Sequence, residues 1–296
     1  FLLPYDDATN TDDTLTLTSD ASLSDGVAAN AGVMGKATDA WDTEYAHGLN
    51  VSATSSEDVL AVAAGLSGGG SAGVAGSAVV DVLVENTRAT VGDGAVINGD
   101  NTGAGAGQGV HVLAADDTSV IAVAGTVGVG GSAGIGAGAD VEVITKTTEA
   151  WFGGEVTVED DVTVQAVSSE SMISGVANVG IGGSAGVAGS AGVYVVTTST
   201  DASVMAGSII TAGGDVLVAA RGDFDIVDIA GQVSIGGSAG VGIAAVVLVH
   251  TDSVTASVGD NTVITALGTG TGVQAATGEW NDGWVEEGTS GVVVNA

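Results

Sequence analysis

The chain has 296 residues, of which 36 are Asp or Glu and only four are Lys or Arg, for a formal net charge of −32. With no basic patch to neutralise phosphates, nucleic acid is excluded as a partner, and the absence of Cys excludes disulfide frameworks, zinc-thiolate sites and thiol catalysis together. Hydrophobic content is 45%, yet aromatics are 3% and Gly numbers 50, so the apolar material is chiefly Val, Ala and Ile, which suits tightly stacked strands rather than a bulky globular interior.

In chain order, "FLLPYDDATN" carries the single proline, Pro4, and lacks both an initiator Met and a basic n-region, so the chain is read as a fragment or processed piece of something longer. Residues 1–47 form atypical N-terminal coils that include "ATDAWDT" around Ala40. Four repeats follow, at 48–108, 109–160, 161–214 and 215–290, and "GVVVNA" (291–296) starts a fifth. Each repeat opens with an alternating strand: "GLNVSA" (48–53), "GVHVLA" (109–114), "DVTVQA" (161–166) and "DVLVAA" (215–220). Each then reaches a glycine core: "GGSAGVAGSA" (69–78), "GGSAGIGAGA" (130–139), "GGSAGVAGSA" (182–191) and "GGSAGVGIAA" (236–245). A Thr-rich segment follows with an alanine in register at Ala89, Ala150, Ala202 and Ala256.

The core starts at Gly69, Gly130, Gly182 and Gly236 are 61, 52 and 54 residues apart. The third repeat divides into three 18-residue pieces, and extra residues fall at one corner only: "DNTGAGAG" (100–107) in the first repeat and 268–288 in the fourth. Insertions confined to one corner are the mark of a solenoid. The expected fold is all-β, a right-handed β-solenoid of about 18 residues per coil with three coils per repeat, giving a rod about 75–80 Å long at about 4.8 Å per coil. Two coils of about 27 residues per repeat is the alternative division, and an array of β-sandwiches the alternative fold. A left-handed solenoid is set aside because no six-residue period is sustained.

The stretch "TDASVMAGSIITAGGDVLVAARGDFDIVDIAGQVSIGGSAGVGIAAVVLV", read across 200–250, resembles the β-strand repeats of very large bacterial exoproteins, the filamentous-haemagglutinin-like and leukotoxin-type adhesins. The resemblance covers about residues 35–270 and identifies a class of repeat. It implies a secreted, cell-surface-associated, elongated right-handed β-helix acting in adhesion or as a stalk.

The residues themselves offer little chemistry. "GIGGSAG" (180–186) approaches a dinucleotide fingerprint, but a strand follows where that fingerprint needs a helix N-terminus. His47, His111 and His250 occupy unlike repeat positions and are read as surface or strand histidines. The carboxylates at 114–119, 158–163 and 221–228 are the only catalytic stock, and with so few cations to clamp an acidic polysaccharide the chain is read as no enzyme, with no catalytic or cofactor-binding residue. Asp and Asn at the turns 10–13, 92–101, 159–161 and 259–261 are candidate oxygen ligands for Ca²⁺, without any EF-hand or nonapeptide pattern. "RGD" (221–223) follows a strand, where a turn would display it to a receptor. Trp280 and Trp284 lie on the 268–288 insertion as candidate contacts for a partner or a glycan.

The resulting expectation is a structural, non-enzymatic segment of an extracellular filament or adhesin stalk. Self-association, end to end or lateral, is expected, together with contact to a host or neighbouring cell surface and no membrane insertion. In the end-to-end case "FLLPY" or "TLTLTS" (14–19) of the next copy completes the fifth repeat. The alternatives are a Ca²⁺-dependent surface-layer or carbohydrate-binding module and, third, a polysaccharide-degrading β-helix enzyme. The paired glycines Gly69–Gly70, Gly130–Gly131, Gly182–Gly183 and Gly236–Gly237 are the candidate assembly strip along one side of the rod.

Overall fold

The computed structural model describes residues 20–28, 41–270, 272–280 and 284–296. The described residues form sixteen strands, and the four repeats lay down corresponding sets. The first contains β2 (Trp41–Gly69), β3 (Ala72–Val91) and β4 (Val96–Ile97), and the second β5 (Gln108–Gly130), β6 (Ala133–Phe152) and β7 (Glu155–Val158). The third contains β8 (Val162–Gly182), β9 (Ala185–Val204) and β10 (Ile209–Ala212), and the fourth β11 (Val216–Gly236), β12 (Ala239–Val258) and β13 (Val263–Ala266). Outside these sets lie β1 (Asp20–Ala28), the hairpin β14 (Val273–Trp280) and β15 (Trp284–Thr289), and β16 (Val292–Asn295).

Equivalent strands stack in parallel, so the all-β solenoid stands. The first sheet runs β1-β2-β5-β8-β11-β16, the second β12-β9-β6-β3 and the third β13-β10-β7-β4. The ladders between equivalent strands of the repeats are all parallel; the antiparallel pairings among the described residues are β1 with Trp41–His47 of β2 and the β14–β15 hairpin.

The coil length is corrected by the register. Val162 of β8 pairs with Val110 of β5 on one side and with Val216 of β11 on the other, so one whole repeat is one coil. The borders between the 18-residue pieces fall at Asn178/Val179 and Val196/Thr197, inside β8 and β9, where alternation continues and nothing reverses the chain. Turns occur instead at Gly183–Ser184, at 205–208 and at 213–215. A strand of 21 residues such as β8 is about 70 Å long, while five rungs stack to only about 20–25 Å. The long dimension is therefore the strand direction, and the expected rod along the stack is replaced by a broad, shallow body.

One end of each coil is three-sided. There Val110, Val112 and Ala114 of β5, Ala150 and Phe152 of β6, and Val156 and Val158 of β7 meet their equivalents from other rungs in one hydrophobic core. The aligned alanines Ala89, Ala150, Ala202 and Ala256 do share one column of it. The extra residues of the first and fourth repeats leave the coil after β4 and β13, at the same corner. In the fourth they are an antiparallel hairpin, not the expected plain loop, whose Val273 and Ala275 bury Leu217 and Ala219.

Toward the other end the third sheet stops and the first two continue face to face as a two-layered blade. The glycine cores close its tip. The turns stack along the ladder, with Ser132 N donating to Ser71 O at 2.8 Å and Ser184 N to Ser132 O at 2.9 Å. Behind the tip the backbones of the two sheets touch. A Cβ on Gly130 would collide with the Ala133 carbonyl, one on Gly134 with the Ile181 carbonyl, and one on Gly186 with the Ile235 carbonyl.

Gly134→Ala is therefore expected to destabilise by about 1–3 kcal/mol through forced separation of the sheets. Gly175→Ala, which meets nothing within 4 Å, should be neutral or slightly stabilising. Urea unfolding of the two variants checks the contrast, and equal effects would contradict the close approach.

Candidate functional site

Because side chains alternate along each strand, the inward glycines fix the phase of the whole blade. In β6 the inward set runs Gly134, Gly136, Gly138, Asp140, Glu142, Ile144, Lys146, Thr148, Ala150 and Phe152. The blade's interior therefore holds polar and charged groups between the sheets, in layers separated by apolar ones. Nearest the tip, Asn178 donates to Ser190 Oγ and to Gly189 O, each at 2.7 Å.

The next layer is acidic. Tyr194 donates 3.2 Å to Asp140, with Asp228 at 3.3 Å, and Ser174 bonds both Tyr194 and Asp140. Glu142 pairs on the ladder with Asp81 and Tyr194, is 1% exposed, and neither carboxyl oxygen accepts a hydrogen bond. Burial, followed by the charges of Asp140 and Asp81, pushes Glu142 up to about 9. Asp228 is also raised, again chiefly by burial.

An apolar layer of Val120, Ile144, Met172 and Val196 intervenes, and beyond it lies a second charged layer. Lys146, 1% exposed, is ion-paired to Asp116, contacts Glu170 at 3.1 Å and donates to Thr118 Oγ1 at 2.6 Å. Thr87 donates to Asp116 at 2.9 Å and Ser168 to Glu170 at 2.7 Å. Burial would lower the Lys146 ammonium, but the Glu170 and Asp116 charges outweigh it and leave it raised. Glu57, Glu85 and Asp116 bring carboxylate oxygens within 4.8 Å of one another, an arrangement able to hold a metal ion. Lys146 already supplies one positive charge to this layer, and burial, a hydrogen bond with Glu57 and the Asp116 charge push Glu85 up to about 8.

None of these residues was singled out for chemistry in the sequence beyond the 114–119 and 221–228 clusters, which contribute Asp116, Thr118 and Asp228. The available signal was columnar: at the repeat offsets Glu85, Lys146, Thr198 and Asp252 align, and all are polar.

The expected site residues are not brought together. The eight glycines form no single outer strip. Gly69, Gly130, Gly182 and Gly236 face the opposite sheet within the blade, while Gly70, Gly131, Gly183 and Gly237 stack at its tip. Residues 221–223 lie inside the continuous strand β11, so no turn displays the Arg-Gly-Asp word. His111 shares a 2.9 Å hydrogen bond with Thr163 and is lowered by burial, whereas His250 stacks on Phe224 at 4.0 Å. Among the turn carboxylates, Asp100 accepts from Thr102 N and Oγ1 at 3.1 and 2.6 Å within its own turn, and Asp161 accepts from Asp215 N of the next rung at 2.7 Å, so both already have an oxygen engaged by the protein. Trp280 and Trp284 are opposed across the β14–β15 hairpin, and their side chains lie outside the described part of the structure. The residues at 1–19 and Ala40, with their expected roles, also lie outside the described residues.

No protein-family model matches the chain, and no curated protein or solved structure is similar to it at a significant level.

Two predictions follow from the charged layers. Lys146→Met leaves Asp116 and Glu170 buried without their counter-charge and should cost about 3–5 kcal/mol near neutral pH, measured by urea unfolding. Glu142 and Glu85 keep their protons in the fold up to about 9 and 8, whereas the unfolded chain releases them near 4.5. Between those values the native state binds more protons, so stability is greatest near pH 5 and declines toward pH 9. Glu142→Gln should flatten that decline and raise the urea midpoint at pH 9; a wild-type midpoint that climbs from pH 5 to 9 would refute the assignment.

Proposed function

We propose that the chain is a structural, non-enzymatic segment of an extracellular or cell-surface filament or adhesin stalk. The observation that carries this reading is the in-register parallel ladder, whose second sheet has β3 and β12 as its terminal strands. β12 repeats β3 position for position through β6 and β9, so a further rung of the same sequence fits either terminal strand by the pairing that holds the inner rungs together. Such a ladder extends by repetition, as a spacer must, and long backbone hydrogen-bond arrays make it stiff. The acidic charge outside the blade favours solubility.

The non-enzymatic part of the proposal is supported by the position of the blade's inward carboxylates. Asp116, Asp140, Glu142 and Glu170 are at most 2% exposed between two sheets, out of reach of a polymeric substrate. The resemblance of 200–250 to giant bacterial exoprotein repeats supports the extracellular placement. The second reading, a Ca²⁺-dependent surface-layer or carbohydrate-binding module, is favoured by the Glu57, Glu85 and Asp116 oxygens.

A glycan array probed with and without Ca²⁺, together with electron microscopy of the purified chain, separates the two. The spacer reading expects no glycan bound in either condition and particles that lengthen along the ladder direction. Glycan binding that depends on Ca²⁺ would replace it with the second reading.

A further inference from the structure

The alternation that turns charge inward in the blade turns apolar side chains outward on both of its broad faces. On the first sheet, the outward positions 60, 62, 64, 66 and 68 of β2 and their ladder partners in β5, β8 and β11 are all Leu, Ile, Val, Ala or Gly. On the second sheet the same holds for positions 74, 76, 78, 80 and 82 of β3 and their partners in β6, β9 and β12. These side chains are in solvent: Leu66 is 84% exposed, Val82 67% and Ile229 65%. In a chain of net charge −32, neither face carries a single charged residue. The border on the first sheet is sharp, at Asp58, Ser119, Ser171 and Asp225.

Five columns spaced by two residues across four strands cover about 30 by 19 Å, or close to 600 Å² per face. That is the upper limit of an apolar patch on an ordinary monomer, and here two lie back to back. One face supplies about three-quarters of the roughly 800 Å² per partner typical of a stable interface, and a blade flanked on both faces exceeds it. The relief suits sheet-on-sheet packing. A furrow of Ala78, Ala139, Ala191 and Ala245 runs beside a Val ridge that begins at Val80.

We infer that these faces are homotypic interfaces, each covered by the blade of a second copy of this chain. Hydrocarbon is the competing cover for an apolar surface, but among the described residues β3 and β12 are terminal strands with unpaired backbone groups at the blade's edges, which lipid does not tolerate. A second blade leaves those edges free for ladder extension and meets no charge repulsion, because the acidic residues lie inside the blade or beyond its border. Lateral packing of this kind rests on the structural reading above and adds to it the surface through which neighbouring ladders associate. It also relocates lateral contact from the glycine pairs to the Val, Ile and Ala faces.

The test is sedimentation equilibrium of the full chain at micromolar concentrations, for wild type and for Val123→Glu/Val193→Glu, which places one carboxylate on each outer face. Wild type should exceed its 28.1 kDa monomer mass in a concentration-dependent way. The double variant should associate at least about tenfold more weakly with unchanged far-UV circular dichroism, and Ser199→Glu, beyond the border, should match wild type. A wild type that stays monomeric at all concentrations overturns the inference, as does a double variant that assembles like wild type. Flotation of monomeric wild type, but not the variant, with phosphatidylcholine vesicles overturns it in favour of lipid. Micrographs separate this from failure of the spacer reading: loss of lateral contact alone narrows the particles without shortening them along the ladder.

Discussion

The structure depends on the contact between two backbones at the glycine tip. Where Gly134 faces the Ile181 carbonyl and Gly180 the Val187 carbonyl, no side chain fits between the sheets. That contact sets the phase of strands about 20 residues long, and with period-2 alternation it dictates the direction of every side chain back to the three-sided core. Gly134 inward makes Asp140, Glu142 and Lys146 inward too, and leaves Val141 and Val143 to the outer face. A single constraint thus accounts for both unusual properties of the blade, its charged interior and its apolar exterior.

The charged interior is tolerable because it is compensated layer by layer. Lys146 neutralises part of the layer around Asp116 and Glu170 and donates to Thr118, and the hydroxyls of Thr87 and Ser168 donate to the two carboxylates. The Asp140 and Glu142 layer has no cation among its described neighbours, and protonation of Glu142 takes its place, as desolvation demands. Val120, Ile144, Met172 and Val196 separate the two layers. The blade is held by thin packing, buried hydrogen bonds and ladders, while the three-sided core at the other end supplies the ordinary hydrophobic burial.

Much of the architecture is legible in the residues. The repeat offsets of 61, 52 and 54 are the ladder offsets, and the glycine cores, opening strands and aligned alanines pair with their equivalents. The coil length is not legible, because an 18-residue subdivision matches the spacing of apolar segments without marking where the chain turns. Nor is the phase: "DVEVITKTTEA" (140–150) alternates equally well with Val141 and Val143 inside, the usual choice when apolar side chains are assumed to seek the core. Only the collision awaiting a Cβ at Gly134 and Gly136 rules that choice out. The carboxylate layers were missed for the same reason, since Glu85, Asp116, Lys146 and Glu170 come from three different repeats and two sheets and meet only when that phase is imposed.

The phase is open to direct measurement, because the chain has no native cysteine. Single cysteines at the adjacent positions Ile144, 2% exposed, and Thr145, exposed on the outer side, can be labelled with a small thiol reagent under native conditions. The account predicts that Thr145→Cys reacts at least about a hundredfold faster than Ile144→Cys, whose thiol is released only by opening of the blade. Equal rates, or faster labelling at position 144, would contradict it.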